Sequence, residues 1–153
     1  MHRALAVLLL LLPVAAHALE TAPVKTGHTI ATLLSEPDSV AASKPFRIAL
    51  RLTLAPGWHT YWLNPGDAGT PPEIDLTGAT AGPIAYPTPS HTSDGTFTSF
   101  EYTNEVLLPL TVTPPAKPGP LHLAAHASWL VCAKICVPEE AAFTLDLPQG
   151  SGA

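Results

Sequence analysis

Proline sets the first limit on this chain: 18 of its 153 residues are proline, more than double the usual share. A residue that fixes φ and lacks an N–H excludes long helices but is tolerated in turns, in loops and at strand edges. The hydrophobic pattern agrees. In residues 45–54, Phe46, Ile48, Leu50, Leu52 and Leu54 fall on one face, and Arg47, Ala49, Arg51 and Thr53 on the other. That period-two alternation predicts a strand with one face in the core and one in water. Strands are likewise predicted over residues 28–34, 58–62, 82–86, 97–102, 106–113, 121–131 and 142–147. The breaks carry turn chemistry: Ala55-Pro56-Gly57, Asn64-Pro65-Gly66-Asp67, Thr113-Pro114-Pro115 and Lys117-Pro118-Gly119. Residues 64–72 read as a long polar loop and residues 149–153 as a frayed tail. No helical apolar stripe, internal repeat or second domain is evident. The expectation is an all-β fold, an antiparallel sandwich of immunoglobulin type.

The first residues indicate export. His2 and Arg3 give a short positive start, residues 4–14 are apolar with leucines at positions 8–12, and Ala16-His17-Ala18 offers small residues at −3 and −1. This is the layout of a secretory signal peptide, residues 1–18, cleaved after Ala18. As a membrane anchor the run is shorter than the ~20 residues a bilayer needs, and Pro13 interrupts it. The expected mature chain, residues 19–153, is one domain in an oxidising compartment, a bacterial periplasm, without membrane insertion after cleavage. At ~135 residues it buries nearly 70% of the unfolded chain's surface on folding, so its core does not depend on a disulfide. Seven Lys and Arg stand against twelve Asp and Glu with no basic cluster, which argues against nucleic acid and anionic membranes.

The only two cysteines, Cys132 and Cys136, are separated by three residues. A straight strand would hold them about 13 Å apart. A disulfide needs Cα atoms within about 7 Å, so the chain must reverse or coil between them. A tight hairpin with Ala133-Lys134-Ile135 at its tip does this, as does one helical turn ended by Pro138; the flanking strands favour the hairpin. As a staple so short a ring gives only about 2 kcal/mol in the loop-entropy model, and short-loop disulfides are readily reduced. The spacing therefore suits either redox chemistry or a weak structural bridge. Lys134 between the cysteines favours a thiolate, while Glu139 and Glu140 oppose it.

Metal and hydrolytic chemistries have less support. A dinuclear copper centre of the cytochrome oxidase subunit II type needs a His and a Met where this chain has Glu140 and Phe143. His122 and His126 lie on one strand about 13 Å apart, too far to share a metal. A copper(I) site made of both thiolates with His59 or His91 stays open. No Gly-x-Ser-x-Gly elbow frames a serine nucleophile, and Glu101 and Glu105 do not resemble a glycosidase pair. Trp58, Tyr61 and Trp62 read as core and edge packing.

Three runs carry a resemblance. They are Gly57-Trp58-His59-Thr60-Tyr61-Trp62-Leu63-Asn64-Pro65-Gly66-Asp67, Pro71-Pro72-Glu73-Ile74-Asp75, and Trp129-Leu130-Val131-Cys132-Ala133-Lys134-Ile135-Cys136-Val137-Pro138-Glu139. Together they resemble the N-terminal periplasmic domain of DsbD-type protein-disulfide reductases, nearest to the ScsB-like branch associated with copper tolerance. The similarity runs from His28 to Leu147. It implies an immunoglobulin-like fold with the cysteines facing each other on adjacent strands. It also implies a pair that takes electrons from a thioredoxin-like domain and passes them to thioredoxin-fold periplasmic proteins. A cap loop before the strand at 106–113 is implied, with Phe97, Phe100 and Tyr102 as its candidate residues, and His59 and Tyr61 as neighbours of the pair. Cys136 is implied as the sulfur that partners engage and Cys132 as the resolving one. Two features depart from the family: its best-known members space the cysteines more widely, and here the sequence stops after the sandwich. The expectation is an electron-relay module rather than a complete enzyme, without cofactor, served by a separate membrane or thioredoxin-like reductant. A copper(I)-binding protein and an interaction module with a structural disulfide are the alternatives.

Overall fold

The computed structural model describes residues 18–152. The expected leader, apart from Ala18, lies outside them. Twelve strands follow one another: β1 Leu19–Glu20, β2 Val24–Lys25, β3 Thr29–Ser35, β4 Phe46–Leu54, β5 His59–Gly66 and β6 Glu73–Thr77. Then come β7 Thr80–Ile84, β8 Ser90–Ser93, β9 Thr98–Thr103, β10 Glu105–Thr113, β11 Leu121–Cys132 and β12 Cys136–Leu147. One sheet orders β1, β3, β4, β10 and β7, with β2 on β3; the other orders β12, β11, β5, β9 and β8, with β6 on β11. The strand pairs are antiparallel, and no helix occurs among the described residues. This is the all-β, immunoglobulin-like sandwich that the alternation predicts.

The core lies between the sheets. Cross-strand partners Ile48 and Leu110, Leu50 and Leu108, and Leu52 and Val106 line the inner face of the first sheet. They meet Leu123, Trp129 and Val131 of β11 and Phe143, Leu145 and Leu147 of β12. Full burial of each such side chain stabilises by about 1.5–3 kcal/mol. The buried Trp129 indole donates from Nε1 to Thr29 Oγ1 across the sandwich at 3.1 Å, which satisfies its one polar group. Outward-facing Arg47 and Arg51 pair with Glu36 and Glu20 instead.

Each predicted strand finds a counterpart, but three boundaries need correction. The 64–72 loop is shorter than expected: β5 continues through Asn64 and Pro65 to Gly66. Its register on β9 jumps between Tyr61 and Gly66, an irregularity that leaves Pro65 out of the cross-strand pairing. Gly66, at φ 91°, passes so close to β9 that a Cβ would lie 2.2 Å from the Thr98 carbonyl oxygen. The strand expected at 142–147 begins at Cys136. It carries Pro138, which an edge strand accepts because one side of it needs no ladder hydrogen bond. Through Ser151 the tail is tied down rather than frayed. Val40 donates to the Pro148 carbonyl and accepts from the Gly150 N–H, and Lys44 Nζ reaches the Ser151 carbonyl.

Candidate redox site

The β11–β12 ladder is unbroken from Leu121↔Leu147 to Cys132↔Cys136 and closes in a turn of Ala133, Lys134 and Ile135. The Ala133 N–H donates to the Ile135 carbonyl at 3.0 Å, so the hairpin, not a helical turn, brings the cysteines together. Their Cα atoms are 4.1 Å apart and their sulfurs are bonded. The two residues differ in access. Cys132 is only 2% exposed, held between β12 and His59 of β5, its partner on the other side. Cys136, on the edge strand, is exposed.

Beside the disulfide, the outward face of β5 and β9 gathers polar groups. Strand alternation puts His59 and Tyr61 on one face of β5, opposite Thr103 and Glu101 of β9. The Tyr61 hydroxyl lies 3.9 Å from Cys136 Sγ and 3.3 Å from His59 Nε2. That same nitrogen is 3.4 Å from Glu101 Oε2, which accepts the Ser99 hydroxyl at 3.0 Å. These groups are largely shielded: Tyr61 is 4% and Glu101 8% exposed. Gly69, at φ 102°, lies flat on the Tyr61 ring, where a Cβ would come within 2.5 Å of ring carbons. Burial, then the nearby Glu101 charge, pushes the Tyr61 phenol above its ordinary value, so it stays a donor in the neutral range.

The sequence matches the family model "Thiol:disulfide interchange protein DsbD, N-terminal" over residues 31–148. The chain belongs to that family. No curated protein matches it closely in sequence. Among solved structures it is similar to the N-terminal periplasmic domain of ScsB from Proteus mirabilis, with 24% identity and a TM-score of 0.69. That match covers 84% of this chain but 51% of the other, so the chain spans about half the length of the ScsB domain. The reduced N-terminal domain of Neisseria meningitidis DsbD is more distant, at 14% identity and a TM-score of 0.47 over 72% of this chain and 87% of that one. The ScsB likeness agrees with the sandwich fold, and the family with thiol–disulfide exchange at a cysteine pair held within bonding distance.

In this DsbD-family domain the aromatic residues expected over the pair separate. Phe97, 57% exposed, stands at the tip of the β8–β9 turn and borders the same depression as His59, Tyr61, Glu101 and Ala133. Phe100 and Tyr102 alternate to the opposite face. Phe100 packs on Trp62 and His91 at ring distances of 5.8 and 5.3 Å, while Tyr102 joins the core and donates to the Pro87 carbonyl. The carboxylates expected to oppose a thiolate are engaged elsewhere. Glu139 accepts from Thr26 Oγ1 and the His28 N–H, both at 2.6 Å, and Glu140 lies 3.4 Å from His126. His122 pairs with Asp146 across the ladder. Glu101, Ser99 and Gly69 belong to the site although their residue types carried no signal. Glu101 becomes legible only once β5 is paired with β9, because register alone sets it against Tyr61.

Proposed function

We propose that this protein is a periplasmic thiol–disulfide exchange module that relays electrons between thioredoxin-fold partners through Cys132 and Cys136. In this reading residues 1–18 export it and residues 19–153 form the single working domain. The observation that carries the proposal is the asymmetry of the pair, with Cys136 exposed on an edge strand and Cys132 buried behind it. A reduced partner's thiolate attacks Cys136 Sγ, the Cys132–Cys136 bond breaks, and Cys132 leaves as a thiolate that takes up a proton. The partner's second thiolate then attacks its own sulfur in the mixed disulfide and frees Cys136. Two electrons and two protons have moved to the pair, and the partner holds a disulfide. Towards an oxidised partner the order reverses: Cys136 attacks and Cys132 resolves. Phe97 serves as the cap that a docking partner displaces, and His59 and Tyr61 flank the reacting sulfur.

Removing the resolving thiol should make the mixed disulfide persist, because an intramolecular attack at very high effective concentration is lost. With Cys132→Ser, Cys136 should accumulate reducible adducts with thioredoxin-fold periplasmic proteins on non-reducing gels. Cys136→Ser should give far fewer. If both variants yield only monomer, glutathione adducts and random dimers, the electron-relay reading is wrong.

A further inference from the structure

His59 Nε2 faces two oxygens at once, Tyr61 Oη at 3.3 Å and Glu101 Oε2 at 3.4 Å. An imidazole nitrogen offers either one proton or one lone pair, never both. If Nε2 carries a lone pair, it accepts the Tyr61 hydroxyl hydrogen and turns it away from the disulfide. If Nε2 carries a proton, it points between the two oxygens and cannot accept the Tyr61 hydroxyl, so the phenol hydrogen is free for its remaining neighbour. That neighbour is Cys136 Sγ, 3.9 Å away. The carboxylate decides between these arrangements, since Glu101 attracts an N–H and repels a lone pair. Ser99 holds it there, and at 8% exposure it is shielded from the water that would screen it.

We propose that Glu101, acting through His59, is a positioning residue that turns the Tyr61 hydroxyl onto the Cys136 sulfur, so that the thiolate formed there receives a donated O–H. This rests on the exchange reading and assigns control of its reacting sulfur. In the reduced protein Cys136 loses its thiol proton to solvent, and the resulting thiolate is the species that attacks a partner disulfide. A hydrogen bond to the charged form favours that form. Of the other charged or titratable groups, Asp94 lines the same depression, Lys134 sits in the hairpin between the cysteines and, in the reduced state, Cys132 adds a thiol. None of these lies on the chain from Glu101 to the sulfur.

The sign of one substitution separates this proposal from plain electrostatics. A carboxylate acting only through space disfavours a nearby thiolate, so Glu101→Gln would raise the thiolate fraction. Acting through His59 and Tyr61, its loss should lower that fraction. The experiment uses the protein carrying Cys132→Ser, whose only thiol is Cys136. It follows the pH dependence of alkylation by iodoacetamide and of thiolate absorbance. Tyr61→Phe should lower the thiolate fraction at neutral pH about fivefold, and Glu101→Gln about two- to threefold. In the Tyr61→Phe background, Glu101→Gln should leave the fraction unchanged or raise it. If Tyr61→Phe has no effect, if Glu101→Gln fails to lower the fraction, or if it lowers it equally in both backgrounds, the proposal falls. Should Glu101→Gln lose its cooperative thermal transition, His59→Phe takes its place in the same two backgrounds with the same expected signs. Alkylation needs no protein partner, so this outcome is independent of whether adducts form.

Discussion

The β4–β10 and β5–β9 ladders are both antiparallel, yet they are built to different ends. The first runs through eight consecutive cross-strand pairs, Glu105↔Thr53 to Val112↔Phe46, without a shift. Its inner side is aliphatic apart from Phe46, and its outer side carries Arg47 and Arg51. The second keeps register for three pairs and then jumps from Tyr61↔Glu101 to Gly66↔Ser99. Its outer side holds His59, Tyr61, Ser99 and Glu101, polar groups that would normally face water, under a loop that crosses at Gly69. Burying such groups is costly unless they satisfy one another, and here they do, in a row that ends at a sulfur. A regular ladder maximises packing; an irregular one gives up pairing to bury a polar row beside the disulfide.

If the regular ladder carries the stability of the sandwich, a change in its core should cost most. Leu50 is fully buried opposite Leu108, so Leu50→Ala should cost about 2–5 kcal/mol by removing packed methyl groups and leaving a cavity. Urea denaturation measures the loss. The alkylation profile of Cys136 in the reduced protein should not change. A cost below about 1 kcal/mol, or an altered thiol profile, would show that the two ladders are not separable in this way.

A smaller effect is expected at Glu139, on the cysteine hairpin but outside the polar row. Burial opposes its charge, but the Thr26 and Thr29 hydroxyls and the His28 N–H outweigh that and hold its carboxyl below the ordinary value. Glu139→Gln replaces a charged acceptor with a neutral one and should cost roughly 1–3 kcal/mol at neutral pH. Because the folded-state value is the lower one, this stabilisation is complete above the unfolded value of about 4.3. It is lost as pH falls through the folded value. The gap between the parent and Glu139→Gln should therefore narrow below about pH 4 in denaturation curves. A gap independent of pH would mean that the residue contributes by shape and not by charge.

The same contrast explains what could be read from the sequence. Leu121 to Val131 alternate strictly in burial and Phe46 to Leu54 do so apart from Ala49, and burial on one face leaves that signal intact in the residue order. β6 alternates too, with Ile74 and Leu76 half-buried, but over five residues the signal is easily missed. Strand β8, Ser90 to Ser93, is exposed throughout and has no apolar residue to mark it. Within the site, Cys132 and Cys136 declared themselves by spacing, and His59 and Tyr61 by their neighbours in sequence. Glu101 is forty residues from Tyr61 and meets it only through pairing register. The division of Phe97 from Phe100 and Tyr102 depends on where β9 starts, since a one-residue slip exchanges the faces.

That division can be tested with the smallest effect of the three. The Asp94 carboxylate accepts the N–H groups of Phe97 and Thr96 at 2.8 and 2.9 Å, which lowers its own pKa and fixes the turn that presents the ring. Phe97 is mostly exposed, so Phe97→Ala should change stability by no more than about 0.5 kcal/mol. A ring that covers the approach to the disulfide should still slow a small thiol. Its removal should speed reduction by glutathione about fivefold, the equivalent of roughly 1 kcal/mol of barrier. Phe100→Ala supplies the contrast, because its ring packs on Trp62 and His91 on the other face. It should lower stability without speeding reduction. Stopped-flow reduction of the two variants beside the parent decides the matter. If Phe97→Ala reacts at the parent rate, the β8–β9 turn is not the cap. If Phe100→Ala is the faster of the two, access to the sulfurs is governed from the inner face, and the contrast between the ladders loses its functional half.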